Sequence, residues 1–115
     1  MTTEEIASRL IGLCKEHKFI EAQKELYAMD VLSIETDGGE TRGVEQMHAK
    51  EQRFLDSLEK IHSISFSEPL VAGSYFSARL VMEVDIKGVG YRVMEEICLY
   101  KVQHDKIVFE QFFRG

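Results

Sequence analysis

The sequence has few cysteines, a single proline and no long apolar run, and each shortage excludes a class of protein. Its two cysteines, Cys14 and Cys98, lie far apart and in no metal-binding spacing. A disulfide-rich scaffold is therefore excluded, and we expect a reducing, cytoplasmic setting. No apolar segment approaches the roughly 18 residues that a membrane-spanning helix needs. The N-terminal segment MTTEEIASRL is acidic and polar, the reverse of a secretory signal.

The chain also lacks a basic patch. Acidic residues outnumber basic residues by 20 to 14, so the formal net charge is −6 at pH 7. Such a charge repels nucleic-acid phosphates and anionic lipid headgroups. We therefore expect neither a nucleic-acid partner nor a membrane partner.

What the sequence does contain is a helical pattern followed by an alternating one. With 115 residues and no linker-like segment, it predicts a single domain over 1–115. Apolar spacing predicts a first helix over about 3–16 and a second over about 19–28. It predicts a third helix that begins at Gly43, has about 17 residues, and includes Ile61 among its apolar members. Thr2 and Glu5 have the form of a capping box for the first helix. The predicted strands cover 31–36, 64–73 with a break near Pro69, 75–86, 91–102 and 106–113.

This order predicts an α+β fold in which three N-terminal helices pack on one face of a curved antiparallel sheet. The last two strands are apolar on both faces. A three-residue turn over 103–105 would place Val102 opposite Lys106, Tyr100 opposite Val108 and Cys98 opposite Glu110. The face turned away from the helices would then carry Val93, Ile97, Leu99, Ile107, Phe109 and Phe113.

Such a face is too apolar to lie in water. Either a further layer of the same chain covers it or a second copy does. No spare helix remains for the first arrangement, so we expect a homodimer formed through this face.

Three segments carry a resemblance to a known family: EAQKELYAMDVLSIE (21–35), ETRGVEQM (40–47) and ICLYKVQHDKIVFEQFF (97–113). In this order they resemble the SnoaL-like branch of the nuclear transport factor 2-like superfamily, which includes ketosteroid isomerases and polyketide cyclases. The chain departs from the pattern at Asp105, where glycine is usual. The resemblance implies a cone-shaped barrel with a pocket inside and a dimer formed through the sheet. It does not select one reaction, because this fold hosts enzymes, binders and dimerisation modules.

The resemblance also implies a role for Glu35. Ungapped counting places it where ketosteroid isomerases carry their general base, and a carboxylate on an apolar pocket wall can exchange protons near neutral pH. The alternative is a glutamate at a strand end that reaches solvent. The oxyanion donors of those isomerases are not matched: Ile11 falls at the tyrosine position, and Ile97 or Cys98 at the aspartate position. This argues against steroid isomerisation.

Two further glutamates, Glu96 and Glu110, belong to the predicted inner face. Two neighbouring buried carboxylates disfavour double ionisation and can form an acid/base pair. Alternatively, they pair with Arg79, Arg92 or a backbone donor in a structural network. With Glu35 they are the candidate catalytic residues, and none is preferred.

On the third predicted helix, Glu51 lies in the middle of the apolar stripe and His48 borders it. Either these side chains line a cavity or they meet a partner across the core. No third ligand has metal-binding spacing, and no cofactor motif occurs. Cys98 lies beside carboxylates, which indicates a core residue more than a nucleophile. The predicted ligand-binding residues are His48, Glu51, Phe54, Met82, Met94, Cys98, Tyr100 and Phe112.

Two functions remain open. The first is binding of a small apolar molecule, with or without proton-transfer chemistry such as isomerisation, cyclisation or dehydration, which requires neither metal nor cofactor. The second is a non-catalytic dimerisation or accessory module with a vestigial cavity. An open cavity with glutamates pointing into it favours the first. A cavity filled by Phe54, Met82, Met94 and Phe112 favours the second.

Overall fold

The computed structural model describes residues 1–115, and three helices pack on one face of its sheet. No helix in it is both long and apolar enough to cross a membrane. The elements are α1 (Thr3–Lys15), α2 (Phe19–Leu26), β1 (Tyr27–Ile34), β2 (Glu40–Arg42), α3 (Val44–Asp56), β3 (Leu58–Phe66), β4 (Leu70–Ala72), β5 (Tyr75–Ile86), β6 (Gly90–Gln103) and β7 (Lys106–Phe113).

The predicted start of the first helix is confirmed. Thr2 accepts a hydrogen bond from the Glu5 backbone, and the Glu5 side chain accepts one from the Thr2 backbone. Together they satisfy two backbone donors that a helix start would otherwise leave unpaired. The second helix ends at Leu26 rather than near residue 28, because β1 begins at Tyr27.

The sheet is mixed and open, which corrects the expected antiparallel barrel. Its strand order is β2-β1-β7-β6-β5-β3, with β4 also paired to β5. Strands β1 and β7 run parallel, whereas the other pairs are antiparallel. A parallel pair needs a long crossover, which the intervening chain supplies. Since β2 and β3 are not paired with each other, they form the two edges of an open sheet.

The third helix is shorter than predicted because two β-bulges imitate a helical pattern. It ends at Asp56, and β3 already begins at Leu58. The register of β3 against β5 shifts between Leu58 and Lys60 and again between Ile61 and Ser63. Each shift inserts one residue, so apolar residues three apart along β3 face the same side of the sheet. A spacing of three indicates a helix when the bulges are unknown.

The turn between β6 and β7 also differs from the prediction. His104 and Asp105 both have positive φ, 52° and 63°, and Gln103 pairs with Lys106. The turn therefore has two residues, which moves the register by one residue relative to the prediction. A bulge between Lys101 and Val102 moves it by one more, so that Tyr100 lies opposite Glu110 rather than opposite Val108. Beyond the bulge the register differs from the predicted one by two residues, so the inner and outer sides of β7 are the same as predicted.

One predicted outer residue is nevertheless wrong. The two-residue turn places Ile107 opposite Val102, before the bulge that leaves Val108 unpaired. Both Ile107 and Val102 face the helices, and Ile107 is completely buried. Ile107 is therefore a core residue and does not belong to the outer face.

The core lies between the helices and the inner face of the sheet, which we define as the face that packs against them. It is built mainly from aliphatic side chains with two stacked aromatic rings, Phe76 and Tyr100, whose centroids are 4.7 Å apart. The largest fully buried residues include Ile6, Leu26, Val31, Met47, Phe76, Val84 and Ile107.

Candidate functional site

A cavity of about 420 Å³ lies between the three helices and the inner face of the sheet. Nineteen residues line it, of which twelve are hydrophobic. This composition, a mainly apolar wall with a few polar groups, is typical of a small-molecule site. The sequence-predicted residues that line it are Glu35, Glu51, Phe54, Met82, Met94, Glu96, Tyr100, Glu110 and Phe112.

Two predicted site residues lie outside this wall. Cys98 is completely buried behind it, and burial followed by the charge of Glu96 raises the pKa of the Cys98 thiol well above its ordinary value. His48 reaches the wall only indirectly, because its Nδ1 atom lies 2.9 Å from Oε1 of Gln23, which lines the cavity. We therefore assign Cys98 to packing and His48 to the support of Gln23.

Glu110 is the most deeply buried carboxylate of the cavity. It accepts hydrogen bonds from the hydroxyl of Tyr27 and from Ser33 Oγ, the latter at 2.7 Å. Burial raises the pKa of Glu110, and the two hydroxyl donors oppose this rise because they stabilise the ionised form. Glu110 is thus held in a buried network with its carboxylate fixed by two neutral donors.

The two arginines considered as alternative partners of Glu110 lie elsewhere. Arg79 pairs with Glu95, and both side chains are more than half exposed. Arg92 donates to the backbone carbonyl of Tyr91. The donors to Glu110 come instead from β1, whose parallel register with β7 places Ser33 directly opposite it.

Glu51 projects from α3 into the same cavity and has few partners. Its Oε1 atom accepts a long hydrogen bond of 3.4 Å from the Gln23 side-chain amide, and no protein group donates to Oε2. Burial, followed by the charge of Glu110, raises the pKa of Glu51 from 4.5 to about 7. A group with this pKa exchanges protons readily at neutral pH.

Glu35 directly follows β1 and is neutralised by an ion pair. Lys50 Nζ donates to Glu35 Oε1 at 2.6 Å and to Ser33 Oγ at 3.1 Å. Because Ser33 in turn donates to Glu110, Lys50 connects these two carboxylates. The Glu35 position that the family resemblance singled out is therefore on the cavity wall, but already bound to a cation.

Glu96 lies on β6 and is paired in the same way. Arg114 Nη2 donates to Glu96 Oε2 at 3.0 Å, and the Glu96 side chain is only 13% exposed. The Cys98 thiol is 3.9 Å from the other oxygen of Glu96. Glu96 is thus an acceptor held at the wall by the C-terminal end of the chain.

Sequence reasoning missed several functional side chains of the cavity. Lys50 adjoins the apolar stripe of α3, where a lysine is usually solvent-exposed. Tyr27 belongs to an apolar stretch that indicates simple packing, and Gln23 lies in the mainly polar segment EAQKE, where a side chain is usually exposed. Ser33 offers the one usable signal, since it is a polar residue on the buried side of an alternating strand, VLSIE.

Comparison with known proteins agrees with this geometry. A family model for the SnoaL-like domain matches residues 1–114. Among curated proteins, none matches the chain. A crystal structure from Mesorhizobium loti, a candidate SnoaL-like polyketide cyclase, is 31% identical, with a TM-score of 0.90 over 98% of this chain and 99% of that one.

More distant solved structures share the fold. A Catenulispora acidiphila protein with a ketosteroid isomerase-like fold, in complex with trimethylamine, is 18% identical, with a TM-score of 0.79 over 96% of this chain and 85% of that one. A candidate polyketide cyclase from Pseudomonas putida is 15% identical, with a TM-score of 0.79 over 100% of this chain and 92% of that one. At these identities the likeness is one of fold alone.

Proposed function

The chain belongs to the family of SnoaL-like domains, and from this premise we propose that it binds a small, largely apolar molecule in the cavity and exchanges a proton with it. The observation that carries the proposal is the position of Glu51. This carboxylate faces an apolar cavity of about 420 Å³, has a pKa of about 7, and keeps one oxygen without a protein donor. Such a group can act as an acid or a base at neutral pH.

Proton transfer between carbon and oxygen is the chemistry that fits this site. Isomerisation, cyclisation and dehydration each need an acid or base held against the reacting carbon. The Mesorhizobium protein, which is 31% identical, is a candidate polyketide cyclase, and this supports the same reaction class for the present chain. Glu51 is the proton-exchanging residue, and burial, helped by the charges of Glu110, Glu35 and Glu96, raises its pKa.

The open volume supports this proposal over a non-catalytic accessory module. Phe54, Met82, Met94 and Phe112 border the cavity and leave about 420 Å³ unfilled. An empty apolar volume of this size lowers stability, because its lining forfeits packing contacts. A domain that only dimerised would gain stability by filling it.

The test uses bicyclic probes that fit an apolar cavity, with 2-tetralone for the chemistry, because this ketone has exchangeable α-hydrogens. We expect the probe to raise the melting temperature and the protein to accelerate exchange of these hydrogens in D2O, followed by proton NMR. Glu51→Gln should slow the protein-dependent exchange by about tenfold or more. Glu45→Gln, an exposed change on the same helix, should leave it unchanged. A wild-type protein that neither binds nor exchanges the probe would contradict the proposal.

The second element of the proposal is a homodimer formed through the outer face of the sheet. That face carries Val93, Ile97 and Phe113 with 57%, 46% and 47% of their surface exposed. The partly buried Leu99 and Phe109 lie beside them. The helices occupy the opposite face, so a second copy of this face is the partner that supplies matching apolar surface.

Substitution of Ile97 by Asp tests the homodimer. A charge in the centre of an apolar interface is left unpaired and desolvated, so we expect the variant to sediment as a monomer where the wild type sediments as a dimer. Val89→Asp, in an exposed turn, is the control and should remain dimeric. A wild-type protein that is monomeric at micromolar concentration would refute the homodimer and leave the cavity argument untouched.

A reducing, cytoplasmic setting completes the proposal. Cys14 and Cys98 are both free thiols, and burial raises the pKa of Cys14 to about 12. Neither is therefore suited to disulfide exchange. This supports a reducing environment, in which the protein forms no disulfide.

A further inference from the structure

The charges on the cavity wall do not balance. Four carboxylates line the cavity against two cationic side chains, and each cation is already paired. Lys50 binds Glu35 and Arg114 binds Glu96. The two carboxylates left without a cation are Glu51 and Glu110.

These two carboxylates differ in how well the protein satisfies them. Each oxygen of Glu110 accepts a hydrogen bond from a hydroxyl, one from Tyr27 and one from Ser33. Glu51 has a single long bond of 3.4 Å from Gln23, and its second oxygen has no protein donor. A positive group that enters the cavity can therefore pair with Glu51, whose Oε2 atom has no protein donor.

The apolar part of the wall also suits a cation. Aromatic rings present a negative face that attracts cations within about 6 Å of the ring centre. One such contact already exists, since Lys50 Nζ lies 6.0 Å from the centroid of Phe112. The other aromatic side chains of the wall are Phe19, Tyr27, Phe54, Phe66 and Tyr100.

We propose that the molecule bound in this cavity is an organic cation, an apolar body carrying a protonated or quaternary amine, with its nitrogen beside Glu51 and its body against the aromatic wall. This inference rests on the proposed function and specifies its ligand class. An anionic ligand would meet an excess of carboxylates, and a neutral one would leave Glu51 to keep its proton and would gain no ion pair.

A proton should leave the site when the cation binds. The charged groups that face Glu51 are Lys50 on its own helix and Glu35, Glu96 and Glu110 from the sheet side, and the titratable but neutral groups near it are Cys14 and Tyr27. An added positive charge favours the ionised form of Glu51. Binding at neutral pH is therefore coupled to release of part of a proton, and ionised Glu51 is the form that can act as a base.

The test compares ligands that share one ring system and differ in charge: tryptamine (cationic), tryptophol (neutral) and indole-3-propionate (anionic). By isothermal titration at neutral pH we expect tryptamine to bind about tenfold more tightly than tryptophol, and indole-3-propionate most weakly. Glu51→Gln should abolish the preference for tryptamine over tryptophol. The control Glu45→Gln should keep it. Titrations in buffers of different ionisation enthalpy should show proton release with tryptamine in the wild type and none in Glu51→Gln.

The outcomes separate this inference from the proposed function. Equal binding of tryptamine and tryptophol to the wild type would overturn the cation inference and leave small-molecule binding intact. Failure of tryptamine and tryptophol to bind a protein that binds 2-tetralone would overturn the inference alone, whereas failure of all three to bind would overturn the proposed function as well. A preference that persists in Glu51→Gln, or tryptamine binding without proton release, would show that Glu51 does not receive the cation.

Discussion

Replacing Glu51 with Gln is expected to stabilise the protein by about 3 kcal/mol above neutral pH and to have almost no effect in acid. The unfolded chain ionises this carboxyl near 4.5 and the folded protein near 7. The folded state therefore retains a proton that the unfolded state loses between these values, and folding stability falls as pH rises through this window. Gln never ionises, so the variant escapes this loss.

The measurement is urea unfolding of both proteins at pH about 4.5 and at pH about 8. The charges that face Glu51, those of Lys50, Glu35, Glu96 and Glu110, remain in the variant. The difference between the two curves therefore reports the titration of Glu51 itself. Glu45→Gln should produce a small effect that does not grow with pH. If Glu51→Gln were less stable than the wild type at the higher pH, Glu51 would instead be an ionised structural partner.

Most of the fold follows from local pattern. Local rules that do not depend on the rest of the chain predict the capping box at Thr2, the helical spacing of α1 and the alternation of β5 to β7. The prediction errors arise where a bulge or a turn interrupts the regular residue spacing of a strand. The bulges of β3 made Leu58 and Ile61 look helical. The two-residue turn at His104 and Asp105 and the bulge after it together displaced the register of β7.

In the candidate site too, local pattern predicted some residues, and the rest depended on tertiary structure. A carboxylate within an apolar pattern is visible in the sequence, because burying a charge is costly and needs a reason. That signal identified Glu51 and Glu110. Their partners were not visible: the pairing of β1 with β7 brings Tyr27 and Ser33 to Glu110. Contacts across parallel strands depend on tertiary topology that local spacing does not encode.

Ile107→Ala tests the displaced register most directly, and we expect it to cost about 3 kcal/mol of unfolding free energy. Ile107 is completely buried opposite Val102, so truncation leaves a cavity in the core. Val89→Ala, an exposed apolar truncation in the β5–β6 turn, should change stability by less than about 0.5 kcal/mol. The three-residue turn would instead place Ile107 on the outer face. In that register, Ile107→Ala would weaken the homodimer in sedimentation and spare the stability of the protomer. A stability loss with an unchanged sedimentation coefficient therefore assigns Ile107 to the core, and weakened association without that loss would restore the alternative turn.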